Sequence, residues 1–160
     1  MESIKQVKQL EIIKIALLIA VLVTLPLTIS LFRTTGFNKE IFPSELFVDL
    51  VLKFWFFFLF SWATLQFNTN WIYRIPKRNR LIVWALRLSG NLGILVSTVL
   101  LLDFIYPYLV DKDVSNREED FQVFIFIVVL IIIIFISRIL RLQIIQRQNI
   151  LENEHLKQQN

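Results

Sequence analysis

Residues 121–142 read FQVFIFIVVLIIIIFISRILRL, and positions 123–136 within them carry no polar side chain. A helix needs about 20 apolar residues to cross a ~30 Å hydrocarbon core. Strands of a membrane barrel are shorter and alternate apolar with polar, which this stretch does not. Its many β-branched residues would disfavour a helix in water, but in lipid an unpaired backbone forces one. The stretch therefore predicts a transmembrane helix. Working outward, three more windows of similar length and apolarity lie at 12–32, 46–67 and 81–102. The expected fold class is an all-α membrane protein, a four-transmembrane-helix bundle.

Composition agrees. Of 160 residues, 56% are apolar, with 15 Phe, 4 Trp and 3 Tyr, and the mean hydropathy is +0.61. A soluble domain of this length buries one core, not four long apolar stretches. The first span is too long for a signal peptide, and no small-x-small cleavage pattern follows it, so it reads as a retained anchor. Cysteine is absent and His155 is the single histidine, which excludes a disulfide framework, a thiol nucleophile and a multi-His metal site within one chain. No Ser-His-Asp set and no phosphate loop stand out. The expectation is no catalytic, cofactor-binding or metal residues.

The cations are unevenly placed. Lys5, Lys8, Lys14, Arg74, Lys77, Arg78, Arg80, Arg138, Arg141, Arg147 and Lys157 flank the spans on one side, eleven in all. The other side holds Arg33, Lys39, Lys112 and Arg117, together with Asp111, Asp113, Glu118, Glu119 and Asp120. By the positive-inside rule both termini are cytoplasmic, N-in/C-in, in a plasma (inner) membrane. The basic excess is topological and calls for no nucleic acid. Trp71, Tyr73 and Trp84 are expected at the inner interface, Tyr106 and Tyr108 at the outer one. The outer loops, 33–45 and 103–120, are broken by Gly36, Pro43 and Pro107. Each is too short to fold alone, which takes ~40 residues or more.

The fourth helix does not stop at the membrane. Ser115 and Glu118 form a capping box, and neither Gly nor Pro follows before Asn160. One helix of about 45 residues would be roughly 67 Å long. Residues 1–140 thus form a four-span domain and 141–160 a cytoplasmic helix. In that helix Leu140, Ile144 and Leu151 share one stripe; Ile145, Asn149, Glu152 and Leu156 share a half-polar neighbour. The stripe predicts a coiled coil and a homodimer through the C-terminal helix, with a solvated tail as the alternative. The sequence ends without a stop signal, as if a further domain followed.

Leu151, Glu152, Asn153, Glu154, His155, Leu156, Lys157, Gln158, Gln159 and Asn160 resemble the linker of LytS-like sensor histidine kinases. There a fourth-span helix continues into a Leu-Glu-Asn-Glu-x-Leu-Lys-x-Glu/Gln-Asn segment. The motif covers ten residues, and the four-span architecture covers the chain. The resemblance implies the sensor module of a two-component kinase, feeding a downstream dimeric kinase or other output domain. The family's Asn-Pro-His-Phe-Leu-Phe-Asn phospho-acceptor motif and its glycine-rich ATP boxes are absent here, so kinase activity would need that further domain. His155 reads as a solvated surface residue.

Charges inside a membrane cost about 2.5–3.5 kcal/mol at mid-depth on insertion scales. Arg87 either snorkels to the inner headgroups or pairs across the bundle; Asn91, its i+4 neighbour, is expected to make an interhelical hydrogen bond. Asp49 and Lys53 form an i,i+4 pair near the outer end of the second span, as a local salt bridge or as an ion or ligand site that Asp103 could join. Ser89, Gly93 and Ser97 form a small-residue stripe that admits a close helix, in this chain or another. The aromatics from Phe54 to Trp62 cover every face of the second span, so their spacing assigns no quinone pocket. Two other functions stand beside the sensor: a small transporter or channel subunit, for which Asn91 is the deepest polar group, and an accessory membrane protein.

Overall fold

A computed structural model describes residues 7–35, 44–74, 80–109 and 116–159. Four long helices account for nearly all of them: α1 (Gln9–Thr35), α2 (Ser44–Gln66), α3 (Arg80–Leu109) and α4 (Asn116–Gln159). A π-helical turn, Phe67–Trp71, and a 3-10 turn, Ile72–Arg74, extend α2. No strand occurs among the described residues. Each long helix contains a segment long and apolar enough to cross a membrane: Gln9–Ile29, Phe47–Arg74, Arg80–Ile105 and Val123–Glu154.

The helices outrun the expected spans. α1 continues through Pro26, and α3 through Pro107 to Leu109, so the expected loop beginning at residue 103 starts later. Proline removes one backbone donor. In α1 the carbonyl it leaves without its helical donor is that of Leu22; beside it Thr24 donates to the carbonyl of Ala20 (2.8 Å) and Thr28 to that of Thr24 (2.7 Å). In α3 it falls in the last turn, where little helix remains to disturb. Gly36, Pro43 and Ser115 lie outside the described residues, as do the side chains of Glu118, Tyr106, Tyr108, His155 and Leu156.

α2 is the hub. It packs on α1, α3 and α4, whereas α1 touches neither α3 nor α4 at the backbone level among the described residues. The α1–α2 seam is the closest because α1 turns Ile12, Ala16, Ile19, Ala20 and Thr24 inward, all buried. Alanines spaced i,i+4 let two helix backbones approach. Against the other side of α2, the Phe126 ring stacks on Phe57 (4.6 Å between centroids) and meets Phe60 edge-on (5.1 Å). Val129 and Ile133 carry that seam along α4.

α3 is the least embedded helix, with 11% of its most apolar window buried against 33% for α2. What seats it is Gly90: a Cβ there would overlap the ring of Phe67. Gly93, by contrast, has open space around it. Gly90→Val is therefore expected to lower stability by about 2 kcal/mol through overpacking, and Gly93→Val to be near neutral. Denaturant titration followed by circular dichroism checks both, and Phe67→Ala should restore part of the Gly90→Val loss.

Candidate functional site

One end of the bundle concentrates the polar chemistry. The start of α1, the π turn, the start of α3 and the emergence of α4 meet there, and Lys8, Lys14, Arg74, Arg80, Arg138, Arg141 and Arg147 all belong to it. The tightest part is the segment Gln66-Phe67-Asn68-Thr69-Asn70. Asn68, Thr69 and Asn70 are consecutive and all buried. Three successive residues sweep about 200° of an α-helix, so one flat interface cannot bury them all. The wider π turn, closed by the amide of Ile72 on the carbonyl of Phe67, sits against α3, α4 and Val7 just ahead of α1, and each side chain finds a different partner.

Asn70 turns to α1. Its Oδ1 accepts from the backbone amide of Val7 (2.9 Å), and its Nδ2 donates to the carbonyl of Val7 (3.2 Å) and to Gln66 Oε1 (3.3 Å). One amide side chain thus satisfies both polar groups of a backbone unit that is almost wholly buried. Asn68 turns to α3. Its Nδ2 donates to Asn91 Oδ1 (2.6 Å) and to the carbonyl of Thr64 (2.9 Å), while Asn91 Nδ2 donates to Asn68 Oδ1 (3.3 Å) and to the carbonyl of Arg87 (2.8 Å). Thr69 donates to the carbonyl of Leu65 (2.7 Å).

Tyr73 completes the junction. The Arg141 guanidinium of α4 lies over its ring, 3.9 Å from the centroid. The Arg87 guanidinium donates to its hydroxyl (3.3 Å) and sits 5.7 Å from the same centroid. Arg141 is 5% exposed, an unusual state for an arginine, and the aromatic face offsets part of its lost hydration. Tyr73 is therefore held between α3 and α4. Trp71 and Trp84 are exposed. Next to this stack a cavity of about 10 Å³, roughly the volume one water needs, is lined by Asn68, Tyr73, Arg87, Ser137 and Arg138. The Nε of Arg87 is buried without a partner. Ser137 donates to the carbonyl of Ile133 (2.7 Å).

Tyr73→Leu is expected to cost about 2 kcal/mol, because the desolvated arginine loses its ring. Tyr73→Phe keeps the ring and loses only the bond from Arg87, so about half that loss is expected. Thermal unfolding of the two variants side by side separates them.

The remaining sequence-expected residues are scattered. Asp49 and Lys53 form an ion pair (2.9 Å) near the opposite end; Thr24 and Thr28 line a small cavity beside them. Asp103 is exposed and makes no hydrogen bond or ion pair among the described residues, so it does not join them. Ser89, Gly93 and Ser97 are exposed. Gly93 and Ser97 border an open groove of about 580 Å³ between α2 and α3, beside Trp62, Phe67 and Trp71. Among the described residues nothing lies within 4 Å of where a Cβ on Gly93 would stand. Ile144 packs on the core, while Ile145, Ile150 and Leu151 are exposed along the emerging α4. No group of three His, Cys, Asp or Glu side chains converges among the described residues.

The sequence reading passed over Gln66, Asn68, Thr69, Asn70 and the stacking role of Tyr73. The available signal was a run of uncharged polar residues, interrupted only by Phe67, directly behind the most aromatic span of the chain. No family model matches the sequence, and no curated protein or solved structure does either.

Proposed function

We propose that this chain is a membrane-embedded input module, set in the membrane by its four apolar helices with both termini in the cytoplasm. A change in the bundle is passed through α4 to a dimeric output domain, of the kind that follows the membrane region in sensor histidine kinases. One observation carries the reading. α4 is a single helix of 44 residues, about 66 Å long, and it is gripped at Ser137–Arg141, where it leaves the bundle. A rod held at that point converts a small rotation or shift of the bundle into the same motion of its far end. The exposed Ile145, Ile150 and Leu151 supply apolar surface for a second copy of the rod. The ten-residue similarity to the LytS-like linker lies in this same segment.

A relay of this kind needs two arrangements of the bundle that a stimulus populates differently. The π turn is a natural place for them, because a π-to-α change slips the register of everything behind it by one residue.

The chain has no cysteine, so single cysteines at 143–154 report cleanly. In native membranes they are expected to crosslink between copies with a helical period, with a peak near the exposed Leu151 and not at the core-packed Ile144. A flat or absent pattern would overturn the dimeric relay. A transporter reading would instead require solute flux in proteoliposomes that Asp49→Asn or Asn91→Leu abolishes.

A further inference from the structure

The two latches at the basic end leave a gap between the helices they hold. Asn70 fixes the start of α1 from the α2 side, and Tyr73 fixes α4 at Arg141. Between α1 and α4 no pair of Cα atoms comes within 8 Å among the described residues. A cleft of about 300 Å³ remains, at the lower end of the size range of ligand pockets. One wall presents Glu11, Lys14 and Ile15, the other Gln143, Ile144 and Arg147.

The lining is divided. Ile15 and Ile144 are partly buried against the core, whereas Lys14, Glu11, Gln143 and Arg147 are exposed. Neither Lys14 nor Arg147 makes an ion pair among the described residues. Two uncommitted cations thus face each other across a gap whose floor is apolar, level with the start of the α1 candidate span. That is the pattern an amphiphile with an anionic head satisfies: phosphate against two cations, headgroup hydroxyls against Gln143 and Glu11, glycerol and first methylenes against the isoleucines.

We propose that the α1–α4 cleft binds the headgroup of an anionic phospholipid. The lipid bridges α1 to the emerging α4 where the two backbones do not approach, and membrane charge thereby sets how firmly α4 is held. The site does not depend on the relay reading; it requires only that the four helices sit in a bilayer.

The test uses the full chain in phosphatidylcholine bilayers with a fluorophore on Gln146→Cys, exposed and outside the cleft lining. Nitroxide-labelled phosphatidylglycerol and nitroxide-labelled phosphatidylcholine, each labelled near the head of the acyl chain, serve as quenchers. With both cations intact, phosphatidylglycerol is expected to quench preferentially. At roughly fivefold per cation near an anionic surface, Lys14→Gln/Arg147→Gln should weaken that preference about 25-fold, while Arg74→Gln/Arg80→Gln leaves it largely unchanged. Equal quenching by the two lipids in the cation-intact protein overturns the proposal without any appeal to a variant's folding. So does equal loss in both double variants, which would mean surface charge alone. Displacement of the lipid by millimolar inorganic phosphate would assign the cleft to the free anion. Fluorophore self-quenching that rises with protein density would assign it to a second copy. Either result overturns the lipid.

Discussion

Asn70→Leu is expected to destabilise the protein by about 3 kcal/mol, more than any other single polar-to-apolar change in the bundle. Leucine has the same branched heavy-atom skeleton and leaves no cavity, so the lost hydrogen bonds are the main source. Asn70 is 1% exposed and supplies both partners of the buried Val7 backbone unit, besides donating to Gln66. Leucine removes all three bonds at once. A buried polar group without a partner costs about 1–3 kcal/mol, and three groups are affected, partly relieved if the start of α1 swings out to find water. The relief is itself a readout. Amides at residues 7–12 should exchange with deuterium much faster in the variant, while those of Phe126–Ile133 in the α2–α4 seam stay slow. Asn70→Asp retains the acceptor for the Val7 amide but sets a buried carboxylate against the Val7 carbonyl and Gln66 Oε1, and is expected to cost at least as much as leucine. Uniformly faster exchange across both regions would mean that Asn70 acts on the whole fold rather than on the docking of α1.

Asn91→Leu has the next largest expected effect, a loss of about 2 kcal/mol. The Asn68–Asn91 pair exchanges two amide bonds between α2 and α3. Interhelical hydrogen bonds in membrane proteins average about 0.6 kcal/mol with a maximum near 1.7, because the separated helices also find partners. This pair is buried on both sides and lies beside the orphaned Nε of Arg87, so the upper end applies, with a penalty for the Asn68 carbonyl left behind. Asn68→Leu should cost about as much, since each amide also donates to one backbone carbonyl, Asn68 to that of Thr64 and Asn91 to that of Arg87. The double variant should cost less than the sum of the singles, and the shortfall measures the coupling. Unfolding in mixed micelles, followed by tryptophan fluorescence, supplies the four values. Strict additivity would show that the two amides do not depend on each other.

How much of this was legible depended on the kind of signal. The four helices follow from apolar runs such as 123–136, because nothing else satisfies a backbone whose side chains cannot face water. The length of α4 follows from the absence of Gly and Pro. Asn91 was legible as an interhelical donor because a lone amide deep in an apolar helix has few alternatives. Its partner was not, since Asn68 lies just beyond the apolar window and reads as the start of a loop. Burying three consecutive polar residues needs partners on several sides, which is a tertiary fact. Small-residue stripes were ambiguous for a similar reason. Ala16 and Ala20 form the tight seam, yet they are unremarkable within an apolar helix, whereas Ser89, Gly93 and Ser97 stand out and face outward. The glycine that matters in α3 is Gly90, because of where the Phe67 ring falls.

The central claim is mechanical: the π-turn junction grips α4 where it leaves the bundle, so the state of the bundle sets the rotation of the helix beyond. The most direct test is the cysteine crosslinking scan at 143–154 in native membranes, run in parallel with intact Tyr73 and with Tyr73→Leu. The account predicts a helical crosslinking period in the first case. In the second it predicts that the peak positions shift in phase or the period washes out, while circular dichroism shows the helix content retained. The same peaks at the same positions with and without the tyrosine ring would contradict it.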